Sequence, residues 1–137
     1  MRSFPGATSE DLKDYIKPLI KKKPDTMILH VGTNDLTKNI NNTIENLSCI
    51  TSEIKRISPE TNVVFSNLCL REDKPGLSSK VKNLNMSIDR FCKDNGLNII
   101  NNSNIDKNCL SRKKLHLNEK GLSKLAVNLK VFIQNNL

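Results

Sequence analysis

The sequence predicts an α/β domain built around a parallel sheet, on three grounds. Short runs of apolar and β-branched residues, at about Thr26 to Val31, Asn62 to Ser66 and Leu97 to Ile100, have the composition of buried strands. Longer stretches between and after them repeat apolar residues at helical spacing. The resulting order of strand, helix, strand, helix, strand, helix implies parallel strands with right-handed crossovers. At 137 residues the chain suits one domain, residues 1–137, able to bury roughly two-thirds of its unfolded surface. It shows no internal repeat and no linker.

Each element has its own signal. Thr8 or Ser9, followed by Glu10 and Asp11, opens a helix that Leu12, Tyr15, Ile16 and Leu19 continue, and Pro18 is expected to split or kink it. After the first strand, Ile40, Ile44, Leu47, Ile50, Ile54 and Ile57 form one helical stripe that ends near Ser58-Pro59. A polar loop, Arg71 to Gly76, follows the second strand. Val81, Leu84, Met86, Ile88, Phe91 and Cys92 mark the next helix, stopped near Asn95-Gly96 by a left-handed cap. Residues 101–117 read as irregular. Asn118 is expected to cap a final helix with Leu122, Leu125, Ala126, Leu129, Phe132 and Ile133 as its apolar face.

Composition narrows the function. Hydrophobic residues are 36% of the chain and aromatics only 4%, with no Trp, so the core is expected to be aliphatic. The formal net charge of +8 favours loose association with nucleic acid or other polyanions. Its basic groups, Lys21-Lys22-Lys23 and Arg112-Lys113-Lys114, lack the interleaved aromatics of a single-strand stacking platform and read as solvated faces. Cys49, Cys69, Cys92 and Cys109 are widely spaced, with no Cys-x-x-Cys, so neither a zinc site nor any other metal site is expected. The first residues lack the apolar segment of a signal peptide, and no run approaches the ~18 apolar residues of a membrane span. Reduced thiols in an intracellular, cytoplasmic protein are the expectation.

The chemistry-bearing residues lie in two loops. The first strand empties into Gly32-Thr33-Asn34-Asp35, and near the other end His116 stands just before the final helix. Ligands of parallel sheets gather at the carboxyl ends of strands, where both loops are expected. There Gly32 allows a tight turn, Asn34 offers side-chain N–H groups to an oxyanion, and His116 has the chemistry of a general base. Taken alone, Asn34-Asp35 is equally ordinary turn chemistry and His116 an ordinary capping or surface histidine. His30, inside the first strand, reads as a core-facing polar residue.

These residues resemble the SGNH, or GDSL-like, hydrolase family of esterases and lipases, whose fold is a three-layer, flavodoxin-like α/β/α sandwich. Gly6, in Ser3-Phe4-Pro5-Gly6-Ala7-Thr8, matches the glycine of the family's second block. Gly32-Thr33-Asn34-Asp35 matches its third, and His116 matches the histidine of its last, Asp-x-x-His. Phe4-Pro5-Gly6-Ala7-Thr8, Leu29 to Leu36 and Leu115-His116-Leu117-Asn118 further resemble the esterase-type domain in the first protein of some non-LTR retrotransposons. The resemblance implies Gly6 and Asn34 as oxyanion-hole donors, His116 as the base that activates a serine, and Asp35 as a brace for the turn. It implies an acyl-enzyme, a small acyl ester as substrate, and no metal or organic cofactor.

Two departures from the family pattern shape the expectation. The block carrying Gly-Asp-Ser is absent, so this chain is expected to lack the family's first strand and to be incomplete at its N-terminus. Lys113 stands where the family has the aspartate that orients the histidine, and a cation there opposes formation of an imidazolium. The sequence therefore points to an esterase-type domain, retroelement-derived and catalytically impaired. The rival expectation is a non-catalytic retroelement-derived module that holds nucleic acid on a basic surface, and the third is a decayed fragment that folds poorly.

Overall fold

Three parallel strands form the sheet: β1 (Thr26–Leu29), β2 (Asn62–Ser66) and β3 (Asn98–Ile100), in the order β1-β2-β3. The computed structural model describes residues 2–136. Thr26 pairs with Asn62 and Leu29 with Phe65; across the sheet, Val64 pairs with Asn98 and Ser66 with Ile100. β1 stops at Leu29, two residues short of the expected Val31, because its ladder with β2 ends at the Leu29–Phe65 pair.

The helices follow from local chemistry. Thr8 and Asp11 close a reciprocal capping box at the start of α1 (Ser9–Tyr15), and α2 (Lys17–Lys21) restarts the chain with Pro18 in its first turn, so the expected break falls at Ile16. α3 (Ile40–Ile57) is capped by Asn39, whose Oδ1 accepts from Asn41 N–H at 2.8 Å. α4 (Leu77–Asp94) begins directly after Gly76, earlier than its apolar stripe suggested, and ends at Asn95-Gly96 with Gly96 at φ +65°. α5 (Glu119–Asn136) is capped by Asn118, whose Oδ1 accepts from Gly121 N–H at 2.9 Å.

Period-two alternation divides the strand residues between unequal faces. Met27, Leu29 and Val31 join Val63 and Phe65 in one aliphatic core with Leu47, Ile50 and Ile54 of α3 and Leu84, Ile88 and Phe91 of α4. Phe65 and Phe91 meet edge to face at 5.9 Å, the one aromatic contact inside it among the described residues. On the opposite face, among the described residues, α5 packs on β3 and the 3-10 turn Lys107–Cys109. There the expected burial of α5 fails in part: Leu125, Leu129 and Phe132 are half-buried, while Leu122, Ala126 and Ile133 are exposed. The apolar stripe is wider than the single strand edge beneath it.

His30 also departs from expectation. It lies on the α5 side of the sheet rather than in the main core, and is exposed, with Nδ1 3.0 Å from Ser66 Oγ. Protein crowding the inner part of the ring lowers its pKa. All four cysteines are free, Cys92 and Cys109 buried and Cys49 exposed. None of the described helices is long and apolar enough to cross a membrane.

α5 supplies a matched pair of stability tests. A Cβ on Gly121 would stand 2.5 Å from the Cys109 carbonyl oxygen, so Gly121→Ala is expected to destabilise the chain by about 1–3 kcal/mol. Leu122→Lys, one residue on but exposed, is expected to change stability by no more than about 0.5 kcal/mol. Urea unfolding monitored by circular dichroism reads both.

Candidate active site

Asp35 organises the turn after β1. Its carboxylate, 3% exposed, accepts from Ser9 N–H at 3.0 and 3.2 Å and from Ser9 Oγ–H at 2.9 Å. Ser9 Oγ in turn accepts from Asn46 Nδ2 at 3.0 Å, so one buried cluster joins the turn, the start of α1 and the inner side of α3. Gly32 makes the turn geometrically accessible: its φ is +127°, and a Cβ there would lie 3.1 Å from Leu84 Cδ2. The 3-10 turn Thr33–Asp35 then lifts Asn34 to the surface.

Asn34 and Gly6 are brought together. Asn34 Nδ2 donates to the Ala7 carbonyl at 2.9 Å, which fixes its amide beside the Gly6 turn and leaves its second N–H unused. That turn is closed by Ala7 N–H donating to Phe4 O at 3.0 Å, with Gly6 at φ +77°, and is held to α1 by the Phe4 ring 5.3 Å from Tyr15. The Gly6 N–H is exposed and has no hydrogen-bond partner among the described residues. Two N–H donors therefore stand on one rim, as an oxyanion site needs.

His116 is moored to the same rim indirectly. It sits on an exposed loop whose ends are pinned by the Leu110–Leu117 bridge and whose interior is closed by Ser111 N–H donating to His116 O at 2.7 Å. Glu72 N–H donates to Lys114 O at 2.9 Å, tying this loop to the segment after β2. The neighbouring Arg71 donates through Nη1 to Thr33 O at 2.9 Å, beside Asn34. No hydrogen bond joins the His116 ring to Asn34, Gly6 or any other described residue. Lys113 is exposed next to it, and no described carboxylate takes the place of the missing aspartate.

Arg71 is the residue that sequence reasoning passed over. Its guanidinium makes a two-pronged pair with Asp73, Nε to Oδ1 at 2.6 Å and Nη2 to Oδ2 at 3.1 Å, with both side chains largely shielded. The Arg71-x-Asp73 spacing was visible in the sequence, but nothing local showed that the fork would reach Thr33. The Arg71 hydrogen bonds hold the Asp73 carboxyl below its ordinary pKa.

Among the described residues no serine hydroxyl is hydrogen-bonded to the His116 ring. The one Ser–His side-chain contact among them, Ser66–His30, lies on the α5 side of the sheet; Ser66 is buried and its Oγ also accepts from Asn102 Nδ2 at 2.9 Å. Cys69 follows β2, but burial first, and then nearby Cys109, push its thiol pKa up to about 11, so it is protonated at neutral pH.

Two measurements probe this architecture. Asp35→Ala leaves the Ser9 donors without their acceptor and is expected to cost about 3 kcal/mol in urea unfolding. Because Arg71 depresses the Asp73 pKa, their pairing stabilises the fold above the ordinary aspartate value of about 4 and is lost as pH falls through the depressed one. Arg71→Leu is therefore expected to flatten that acidic limb when the urea midpoint is followed from neutral to strongly acidic pH.

The geometry has relatives. The chain is similar in structure to a GDSL-like lipase from Bacteroides thetaiotaomicron, with a TM-score of 0.85 at 18% identity over 99% of this chain and 75% of that one. It is similar to a carbohydrate esterase family 3 protein from Talaromyces cellulolyticus, with a TM-score of 0.83 at 18% identity over 94% and 68% of the two chains. An acetylxylan esterase from Geobacillus stearothermophilus matches with a TM-score of 0.77 at 14% identity over 93% and 68%. At such identities these likenesses establish the fold, a parallel α/β sheet with the SGNH hydrolase arrangement. No curated protein sequence matches the chain. Residues 1–123 match the model of the GDSL-like lipase/acylhydrolase family, and the chain belongs to that family.

Proposed function

We propose that this chain is the oxyanion-and-histidine part of a serine esterase, and that its nucleophile arrives on a segment outside residues 1–137. The observation that carries the proposal is the Asn34–Ala7 bond, which sets a free side-chain N–H beside the unpaired backbone N–H of Gly6. β1 supports the second half: it pairs with β2 alone, so one edge of the strand that leads into Asn34 is open to another strand. A serine delivered at the end of that strand would be next to the rim.

In the proposed reaction the serine Oγ attacks the carbonyl carbon of a small acyl ester while His116 takes the hydroxyl proton. The developing oxyanion accepts from Gly6 N–H and Asn34 Nδ2–H. His116 then returns the proton to the departing alcohol, and water repeats the sequence to release the acid. No metal or organic cofactor enters. With Lys113 in place of an acidic partner, His116 lacks a group to stabilise its protonated form, and turnover is expected to be low for the family.

The distinctive phrases around Gly6, Asn34 and His116 support a retroelement origin for the domain. A second reading, a nucleic-acid-holding module, is favoured by Arg112, Lys113 and Lys114, exposed on the His116 loop with no carboxylate partner among the described residues. In that case retention of RNA in a filter assay falls steeply with added salt.

An N-terminally extended chain bearing a Gly-Asp-Ser strand tests the esterase proposal with p-nitrophenyl acetate. The extension is expected to yield turnover that residues 1–137 lack, with Asn34→Ala lowering kcat about 10²–10³-fold and His116→Ala reducing the rate to near background. Turnover indifferent to both substitutions would overturn it.

A further inference from the structure

The segment after β2 touches both halves of the proposed esterase site, and it does so through two adjacent residues. Arg71 Nη1 donates to the Thr33 carbonyl oxygen at 2.9 Å. That oxygen belongs to the planar peptide unit that leads into Asn34, so the bond fixes the plane from which the Asn34 side chain departs. Glu72, the next residue, donates its N–H to Lys114 O at 2.9 Å, two residues before His116. The other bonds of the Asn34 turn lead elsewhere: Asp35 accepts from Ser9, and Asn34 donates to Ala7. Neither reaches the His116 loop.

The Arg71 fork is itself held. Asp73 accepts from Nε–H at 2.6 Å and from Nη2–H at 3.1 Å, and the rigid plane of the guanidinium then aims Nη1 at Thr33. Only 16% of the Arg71 side chain and 14% of the Asp73 side chain is exposed, so water competes weakly for these bonds. An ion pair that served stability alone would be complete with Asp73. The third donor goes instead to the one carbonyl whose peptide unit carries Asn34. A lysine keeps the charge but has a single ammonium, without the plane that reaches a carboxylate and a carbonyl at once.

Resting on the esterase reading above, we infer that Arg71 is a positioning residue of that chemistry: it sets the offset between the Asn34 amide and the His116 loop without touching substrate. An oxyanion donor and a base act on neighbouring atoms of one substrate, so slack between them costs turnover rather than affinity. The test compares Arg71→Lys with Ile54→Val, a fully buried core substitution in the last turn of α3 that loosens the fold without altering this segment. In the extended chain bearing Gly-Asp-Ser, Arg71→Lys is expected to lower kcat on p-nitrophenyl acetate about 10–100-fold with KM changed less than about twofold, and Ile54→Val to alter neither. In the 137-residue chain, the NMR signals of the Asn34 side-chain amide and the His116 ring are expected to move together in Arg71→Lys and to stay in place in Ile54→Val. Turnover that Arg71→Lys leaves intact overturns the inference while the esterase reading stands. No turnover by the unsubstituted extended chain overturns the esterase reading; Arg71 is then decided on the 137-residue chain, where unmoved Asn34 and His116 signals would overturn its positioning role.

Discussion

The buried contact between Asp35 and Ser9 is the constraint on which the candidate site depends. A carboxylate removed from water needs its hydrogen bonds filled, and Ser9 fills them with both its backbone N–H and its hydroxyl. Because Ser9 opens α1 and Asp35 closes the turn after β1, satisfying that one group forces two chain segments 26 residues apart into register. The Gly6 turn and the Asn34 amide meet as a by-product. Asn34 then adds its own bond to Ala7, so that rim is secured twice, once from below and once at the surface.

The two faces of the sheet carry different loads. α1 through α4 share one aliphatic core with alternate residues of β1 and β2, and that core holds the carboxyl ends of the strands in place. α5 alone attends the other face, seated by Gly121 against Cys109 and by side-chain amides. Asn128 bonds Asn102 and Asn104, and Asn102 bonds Ser66, so polar pairing does there what apolar packing does opposite. Leu122 and Ile133 are exposed on α5, and the outer edge of β1 pairs with no described strand.

The rim is linked by a cation. Arg71, rather than an acid, is the charged residue that links the Asn34 turn to the loop segment beside His116, and its own charge is answered by Asp73. His116 carries the right chemistry on a well-anchored loop yet has Lys113 as its charged neighbour. Asn34 is held beside the Gly6 turn, and among the described residues His116 has no acidic partner and no serine bonded to its ring.

The sequence by itself determined the parallel α/β class, the order of elements, the capped starts of α1 and α5, and the residues of the two loops after the strands. Those properties are local: hydrophobic period, cap chemistry and turn residues act within a few positions of one another, and the glycine–asparagine and histidine blocks are short enough to be recognised intact. Tertiary structure alone decided the rest. His30 reads as core-facing in the sequence yet is exposed, because a strand's period does not say which face has the thicker layer. Half of the apolar stripe of α5 proved exposed because burial depends on how much partner lies beneath it. Arg71 gave no local sign of its role, since a guanidinium reaching a carbonyl 38 positions away exists only once distant segments are packed together.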